Sequence, residues 1–300
     1  MFLGIIFAIL SPAIYAIVNY FDKFFLERYN ISPVVITIYS GIIAFTTSII
    51  LILLFGLHFF SLQVTIAILF SGVLTELYIL PYFAALSLED ASTVMPLVQF
   101  VPLFVIIGDA YILGEKLSTT QYLGAGLIIF SGLLLSIERV NLYFIRPRKA
   151  FWYMLTACLY IALATLLFKY AVGQQSFWTI LPYEGMGIFF CALCILLWPK
   201  NLRLFKKETK KLPLKLFFLM SFNEAIFIFA RYCGFFALAF ISASLMGVLA
   251  GLQPLFVLFY GLLLSILFPK LLKEVFSKKT FFFKLSAILL TIVGVAFLIY

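Results

Sequence analysis

Histidine, cysteine and charge are all scarce in this 300-residue chain, and each scarcity closes off a class of function. There is one histidine, His58, and there are four cysteines, Cys158, Cys191, Cys194 and Cys233, all within apolar runs. Cys191-Ala-Leu-Cys194 has C-x-x-C spacing, but it has neither a second pair nor a nearby histidine. A zinc site or a dithiol redox centre therefore lacks its ligands, and small packing residues are the reading that remains. No Gly-rich loop closes on Lys-Ser/Thr to cradle a nucleotide, and no H-E-x-x-H motif holds a catalytic metal. No cofactor, no metal and no enzymatic activity are expected.

Charged residues make up 11% of the chain, against about 25% in soluble domains. Hydrophobic residues make up 65%, and the mean hydropathy is +1.19. A soluble domain leaves much of its surface in water and cannot hide so much apolar area. A bilayer can, and one span needs about 20 mostly apolar residues. Ten such runs occur, near Phe2–Phe21, Val34–Leu57, Val64–Leu86, Ala91–Leu113, Tyr122–Ile137, Phe151–Phe168, Phe177–Trp198, Leu214–Ala239, Ser242–Phe268 and Phe281–Tyr300. Helices satisfy their own backbone in lipid, so the sequence predicts an all-α polytopic membrane protein of ten transmembrane helices. The first run lacks a basic leader and a small-residue cleavage site, and is read as a span rather than a signal peptide.

The net charge of +9 does not mark a nucleic-acid surface, because the basic residues are sorted by loop. With loops numbered by the spans they join, the odd loops hold 18 of the 21 Lys and Arg residues. The even loops hold only Lys116 and Lys169, and Arg231 lies inside a span. Basic loops stay cytoplasmic and lie against anionic headgroups. This sorting predicts a multi-pass protein of the plasma (inner) membrane with both termini outside the cytoplasm.

The two halves echo each other. Ser11–Lys23 resembles Thr156–Lys169, with Tyr15 matching Tyr160; Tyr39-Ser-Gly41 matches Tyr183-Glu-Gly185. Ala91-Ser92 with Pro102-Leu-Phe104 matches Ala243-Ser244 with Pro254-Leu-Phe256 at a constant offset of 152. The predicted organisation is a five-helix repeat over 1–140, a cytoplasmic linker over 141–150 and a second five-helix repeat over 151–300. An odd number of spans inverts the second copy, and inverted repeats are a device of transporters.

The fourth and fifth spans read "ASTVMPLVQFVPLFVIIGDAYILGEKLSTTQYLGAGLIIFSGLLL". Small residues and Pro102 open a span that closes on Gly114-Glu115. Leu117 and Gln121 then precede a final span carrying Gly124 and Gly132. This pattern resembles the drug/metabolite transporter superfamily, EamA type. The resemblance implies ten spans in two halves and a transport function. The second half departs from it, with Ile266-Leu267 at the place of the Gly-Glu pair. Relatives of this type usually keep both termini in the cytoplasm, opposite to the orientation the charges predict.

Four acids fall within or near the ends of spans, Glu76, Asp109, Glu184 and Glu224, together with one base, Arg231. A central carboxylate costs about 2.5–3.5 kcal/mol to insert even on the lower scale, and such residues face a bundle interior or a wet cavity. Glu76 and Glu224 lie on the repeat-equivalent third and eighth spans. Glu224 and Arg231 share a helix face two turns apart, roughly 10 Å, so Arg231 is expected to reach another helix. Three roles stay open for the acids: carrying a coupling proton, pairing with a substrate cation, or neutralising Arg231. Tyr15, Tyr39, Tyr78, Tyr160 and Tyr183 could supply aromatic faces to an ammonium group. Gln99 and Gln253 are candidate polar groups near helix bends. Pro96, Pro102 and Pro254 remove helix donors and are candidate gating positions.

The expected function is secondary active transport of a small polar or cationic metabolite, such as an amino acid or amine, by alternating access. The expected partners are that substrate, the bilayer and a coupling proton, with a functional monomer. The alternatives are a lipid or lipid-linked-sugar flippase and a non-transporting membrane assembly protein.

Overall fold

The computed structural model describes residues 2–29, 31–86, 88, 97–98, 100–114, 117–136, 149–210, 212–267, 286 and 289–297. These residues form helices and short connections, with no strand among them. In chain order the helices are α1 (Phe2–Tyr29), α2 (Pro33–Phe55), α3 (Leu62–Leu77), α4 (Ile79–Leu86), α5 (Phe100–Gly108), α6 (Thr119–Ser136), α7 (Lys149–Val172), α8 (Phe177–Leu197), α9 (Pro199–Thr209), α10 (Leu214–Leu238), α11 (Ala243–Ala250) and α12 (Gln253–Leu267). Helical backbone over 289–297 forms α13. Asp109–Leu113 continues α5 as a wider π turn.

Among the described residues, seven segments are long and apolar enough to cross a membrane: Phe2–Asp22, Pro33–Phe55, Leu62–Ala85, Lys149–Val172, Phe177–Leu197, Leu214–Leu238 and Ala243–Gly261. Each coincides with an apolar run of the sequence. Large apolar side chains such as Leu53, Phe59, Leu62 and Phe190 point outward, as lipid-facing residues do.

Two of these segments are broken, and proline accounts for both breaks. Pro81 has no N–H to donate to the Leu77 carbonyl, so α3 stops at Leu77 and α4 restarts past Tyr78. In the ninth run α11 ends at Ala250 and α12 begins at Gln253, with Pro254 second in the new helix. There a missing N–H costs nothing, because the first turn has no acceptor for it. Pro102 lies within α5. Pro96, Gln99 and Glu115 lie outside the described residues.

One expectation is corrected. The lysine-rich segment between the seventh and eighth spans is not a plain loop, since it contains α9, packed against α8 and α2. Pro199 opens this helix. Leu204 and Phe205 seat it on an apolar cluster of Phe25, Ile31, Val35, Leu216 and Met220. A loop reading based on charge alone misses this apolar side.

Helix α8 is the axis of the bundle, flanked by α2 on one side and α3 on the other. Both seams depend on missing side chains. A Cβ at Gly72 would lie 2.0 Å from the Glu184 carbonyl oxygen, and one at Gly187 would lie 2.1 Å from that of Leu69. Backbones this close are the membrane form of small-residue packing. Elsewhere α1 runs along α10, and α7 supports α3, α4 and α5. The contact between α2 and α10 is short, so that seam is looser than the one between α3 and α8.

The crossing of α3 and α8 gives a direct test. Gly72→Leu should destabilise the chain by at least about 1–3 kcal/mol through overpacking. Gly126→Leu should be near neutral, because a Cβ there meets nothing within 4 Å. Unfolding of both variants in mixed detergent micelles measures the difference.

Candidate functional site

The broken third span, the α8 axis and the loose α2–α10 seam bring five ionisable groups into one lane. Helix α1 contributes Asp22, α3 Glu76, α8 Glu184, and α10 both Glu224 and Arg231. At 1.5 Å per residue, Glu224 and Arg231 lie at successive depths along α10. The lane therefore runs along the bundle rather than across it.

At its centre Ser40 of α2 joins two acids. Its Oγ lies 2.7 Å from Glu224 Oε1 and 3.4 Å from Glu76 Oε2. Glu76 is buried, with 1% of its surface exposed, and its Oε1 has no partner among the described residues. Glu224 is half-buried. On one side of this centre Asn223 Nδ2 donates to Asp22 Oδ1 at 2.9 Å. On the other, Arg231 Nη2 stands 3.5 Å from Glu184 Oε2, with exposures of 3% and 0%. Arg231 therefore does reach another helix, and its partner is Glu184.

That ion pair is loose. By strict hydrogen-bond geometry none of the three guanidinium nitrogens of Arg231 and neither carboxyl oxygen of Glu184 has a partner among the described residues, although Thr75 stands beside Glu184 and Tyr232 beside Arg231, each at the edge of hydrogen-bond reach. The rings of Tyr232 and Phe227 stand 5.5 and 6.0 Å from the guanidinium carbon, which supplies part of what hydrogen bonding does not. Buried donors left open in this way mark a place for water or a ligand.

The tyrosines divide. Tyr15 is close enough to Arg231, Glu184 and Glu224 to feel their charge, and Tyr78, at the break in the third span, stands in the same relation to Glu76 and Asp22. Tyr39 borders the space between α1, α2 and α10, together with Asp22, Asn223 and Glu224. Its hydroxyl bonds Thr209 Oγ1 of α9 at 3.1 Å. Tyr183 turns away and bonds the His58 carbonyl in the α2–α3 connection. Tyr160 is half-buried on α7, with no described contact to the acids. Gln253 begins α12 and is not brought to them either.

Three lane residues escape a reading of the sequence. Asp22 sits beside Lys23 at the end of the first apolar run and passes for an interfacial residue. Asn223 and Ser40 are uncharged, and their only signal is adjacency to Glu224 and Tyr39. Asp109 has a different task. Its buried Oδ2 accepts the Ser244 N–H at 2.6 Å and caps the first turn of α11. Lys169 Nζ donates to the Leu238 and Ile241 carbonyls at 3.1 and 2.9 Å and closes the end of α10. Among the described residues no group of His, Cys, Asp and Glu could hold a metal ion.

Residues 2–137 match the model of the EamA-like transporter family. A protein of solved crystal structure, 15% identical, aligns over 99% of this chain and 94% of its own with a TM-score of 0.68. At that identity the likeness speaks for the fold alone. No curated protein sequence matches the chain.

The Arg231–Glu184 pair generates a prediction. Arg231→Met alone should destabilise the chain by about 3 kcal/mol, because it leaves a buried carboxyl without its cation. Adding Glu184→Met should recover most of that loss. A double-mutant cycle measured by unfolding in detergent checks the sign of the coupling.

Proposed function

We propose that the chain is a secondary active transporter of a small cationic or zwitterionic metabolite, a reading supported by the match of residues 2–137 to the model of the EamA-like transporter family, within the drug/metabolite transporter superfamily. The observation that carries this reading is the meeting of Glu76 and Glu224, from different halves of the chain, on the one hydroxyl of Ser40. A hydroxyl has one proton to donate and accepts through its lone pairs. With one proton to offer two carboxyl groups, it satisfies both best when one of them carries a proton of its own or is shared with a cation. A site that alternates between these two fillings is what coupled transport of a cation requires.

The charge balance supports the same class. Asp22, Glu76, Glu184 and Glu224 stand against the single guanidinium of Arg231, so protons or a bound cation must balance the remainder. An ammonium group would sit between Glu76 and Glu224, with Tyr15 and Tyr78 beside it. The open donors of Arg231 suit a carboxylate at the other end, which makes an amino acid or a similar zwitterion the natural substrate. Two inverted five-helix repeats, 1–140 and 151–300, would supply alternating access. In that scheme α3–α8 and α2–α10 are equivalent seams. The first is sealed at Gly72 and Gly187 and the second is loose. The space beside the second is about 20 Å³, room for one water and too small for a metabolite. The route from this state leads toward the lysine-rich side.

Uptake and counterflow of amino acids and amines in proteoliposomes test the proposal. Glu76→Gln and Glu224→Gln should each reduce exchange about 10- to 100-fold, the worth of a hydrogen bond to a charged group. Ser40→Ala should cost less. Full exchange in both glutamine variants would end the carboxyl role.

A further inference from the structure

Helix α9 carries a second site, outside the lane. Trp198, Pro199, Lys200, Arg203, Leu204 and Lys207 line one groove on its surface. Lys200, Arg203 and Lys207 follow the spacing that puts residues on one helix face, and all three are exposed. None of them forms an ion pair with a described residue. Trp198 is 67% exposed at the rim. The helix follows directly on the end of α8 at Leu197 and leads into α10 at Leu214, so it lies at the level where membrane helices end. Three cations and an indole in one groove at that level match the phosphate and glycerol region of an anionic lipid.

The opposite side of α9 is fastened to the mouth of the lane. Glu208 Oε2 accepts the Ser32 N–H at 3.0 Å, just before α2 begins. Thr209 Oγ1 meets the Tyr39 hydroxyl, and Phe205 packs on the Tyr39 ring at 5.4 Å. Tyr39 in turn borders the space that holds Asp22, Asn223 and Glu224. Helix α9 therefore turns an exposed cationic groove outward on one face and is fastened to the α2–α10 seam by the other.

We infer that the α9 groove binds the headgroup of an anionic phospholipid through Lys200, Arg203 and Lys207, and that the bound lipid holds α9 over the mouth of the lane. The binding site stands whether or not the chain transports; only the meaning of the closed mouth rests on the proposed function. Neither arm of the test measures transport.

In the first arm the purified full chain in neutral detergent is titrated with short-chain phosphatidylglycerol, short-chain phosphatidylcholine or inorganic phosphate, and thermal unfolding is followed. Only phosphatidylglycerol should raise the midpoint. The combined variant Lys200→Gln, Arg203→Gln, Lys207→Gln should need about 100-fold more of it, since each surface cation contributes roughly fivefold at an anionic surface. An equal loss from Lys206→Gln with Lys210→Gln would overturn the groove, and a response to inorganic phosphate equal to the lipid's would overturn the lipid. In the second arm Ser221→Cys, on the wall of the α2–α10 space, is labelled by a water-soluble maleimide in a Cys194→Ser background. Labelling should be several times slower in vesicles containing phosphatidylglycerol than in phosphatidylcholine alone, and the difference should vanish with the three cations replaced. Equal rates in the two vesicles with the cations intact would overturn the hold of α9 over the mouth.

Discussion

A carboxyl group placed among hydrocarbon-facing helices must find a proton, a cation or a donor, and this bundle places four of them around one guanidinium. That imbalance organises the rest of the architecture. Among the described residues Glu76 has a single hydroxyl, Ser40, at one oxygen and no partner at the other. Glu184 has Arg231 at 3.5 Å, short of a hydrogen bond. A purely structural network would be expected to close its bonds, since a half-satisfied polar core is less stable than an apolar one. Elsewhere the chain uses buried charge to end helices. The Lys169 ammonium meets two carbonyls, and Asp109 holds a backbone N–H with one oxygen while its other oxygen has no partner among the described residues. The lane differs in gathering several such groups in one place.

The open lane is tolerable because the packing along α8 is tight while the α2–α10 seam is loose. Gly72 and Gly187 bring α3 and α8 into backbone contact, which screens the Arg231–Glu184 end from the charge-poor face. The α2–α10 seam has no such approach, and the acids nearest to it, Asp22 and Glu224, are the ones that remain half-buried. Depth, burial and packing therefore change together along the lane, from the buried Arg231–Glu184 pair to the half-buried Asp22 and Glu224.

Apolar length is a signal that lipid imposes on sequence directly, and the runs read from it recur as helices to within a few residues among the described segments. The break at Gln253-Pro254 is legible for the same reason, since proline acts on the backbone whatever surrounds it. The break at Tyr78 shows the limit, for Pro81 breaks α3 where the sequence reads as one uninterrupted run. Glu76 stands out because nothing else in its run is charged, whereas Asp22 is masked by Lys23 beside it. Ser40 could not be picked out. Hydroxyl residues in such helices commonly bond their own backbone, as Thr37, Thr46, Thr47 and Ser48 do here, and only helix register turns Ser40 toward the acids. Tyr39 and Tyr183 align in the sequence comparison of the two halves, yet one faces the lane mouth under α9 and the other a connection at the far end. A sequence match of this kind does not carry environment with it.

The basic residues illustrate how one pattern carries two kinds of information. Their bias toward alternate loops sets an expectation of orientation, and treating them as a count hides that some are arranged. In Pro199–Thr209 the cations alternate with Leu202, Leu204 and Phe205 at helical spacing, so the same charges that sort the loops also build an amphipathic helix. The apolar side of that helix has somewhere to go because the α2–α10 seam is incomplete: Phe205 covers Tyr39, which covers the approach to Glu224. The looseness that keeps the acids accessible is thus also what gives α9 its seat. Any closure of α2 on α10 would have to displace Phe205 and break the Tyr39–Thr209 bond, which ties the position of a surface helix to the state of the buried lane.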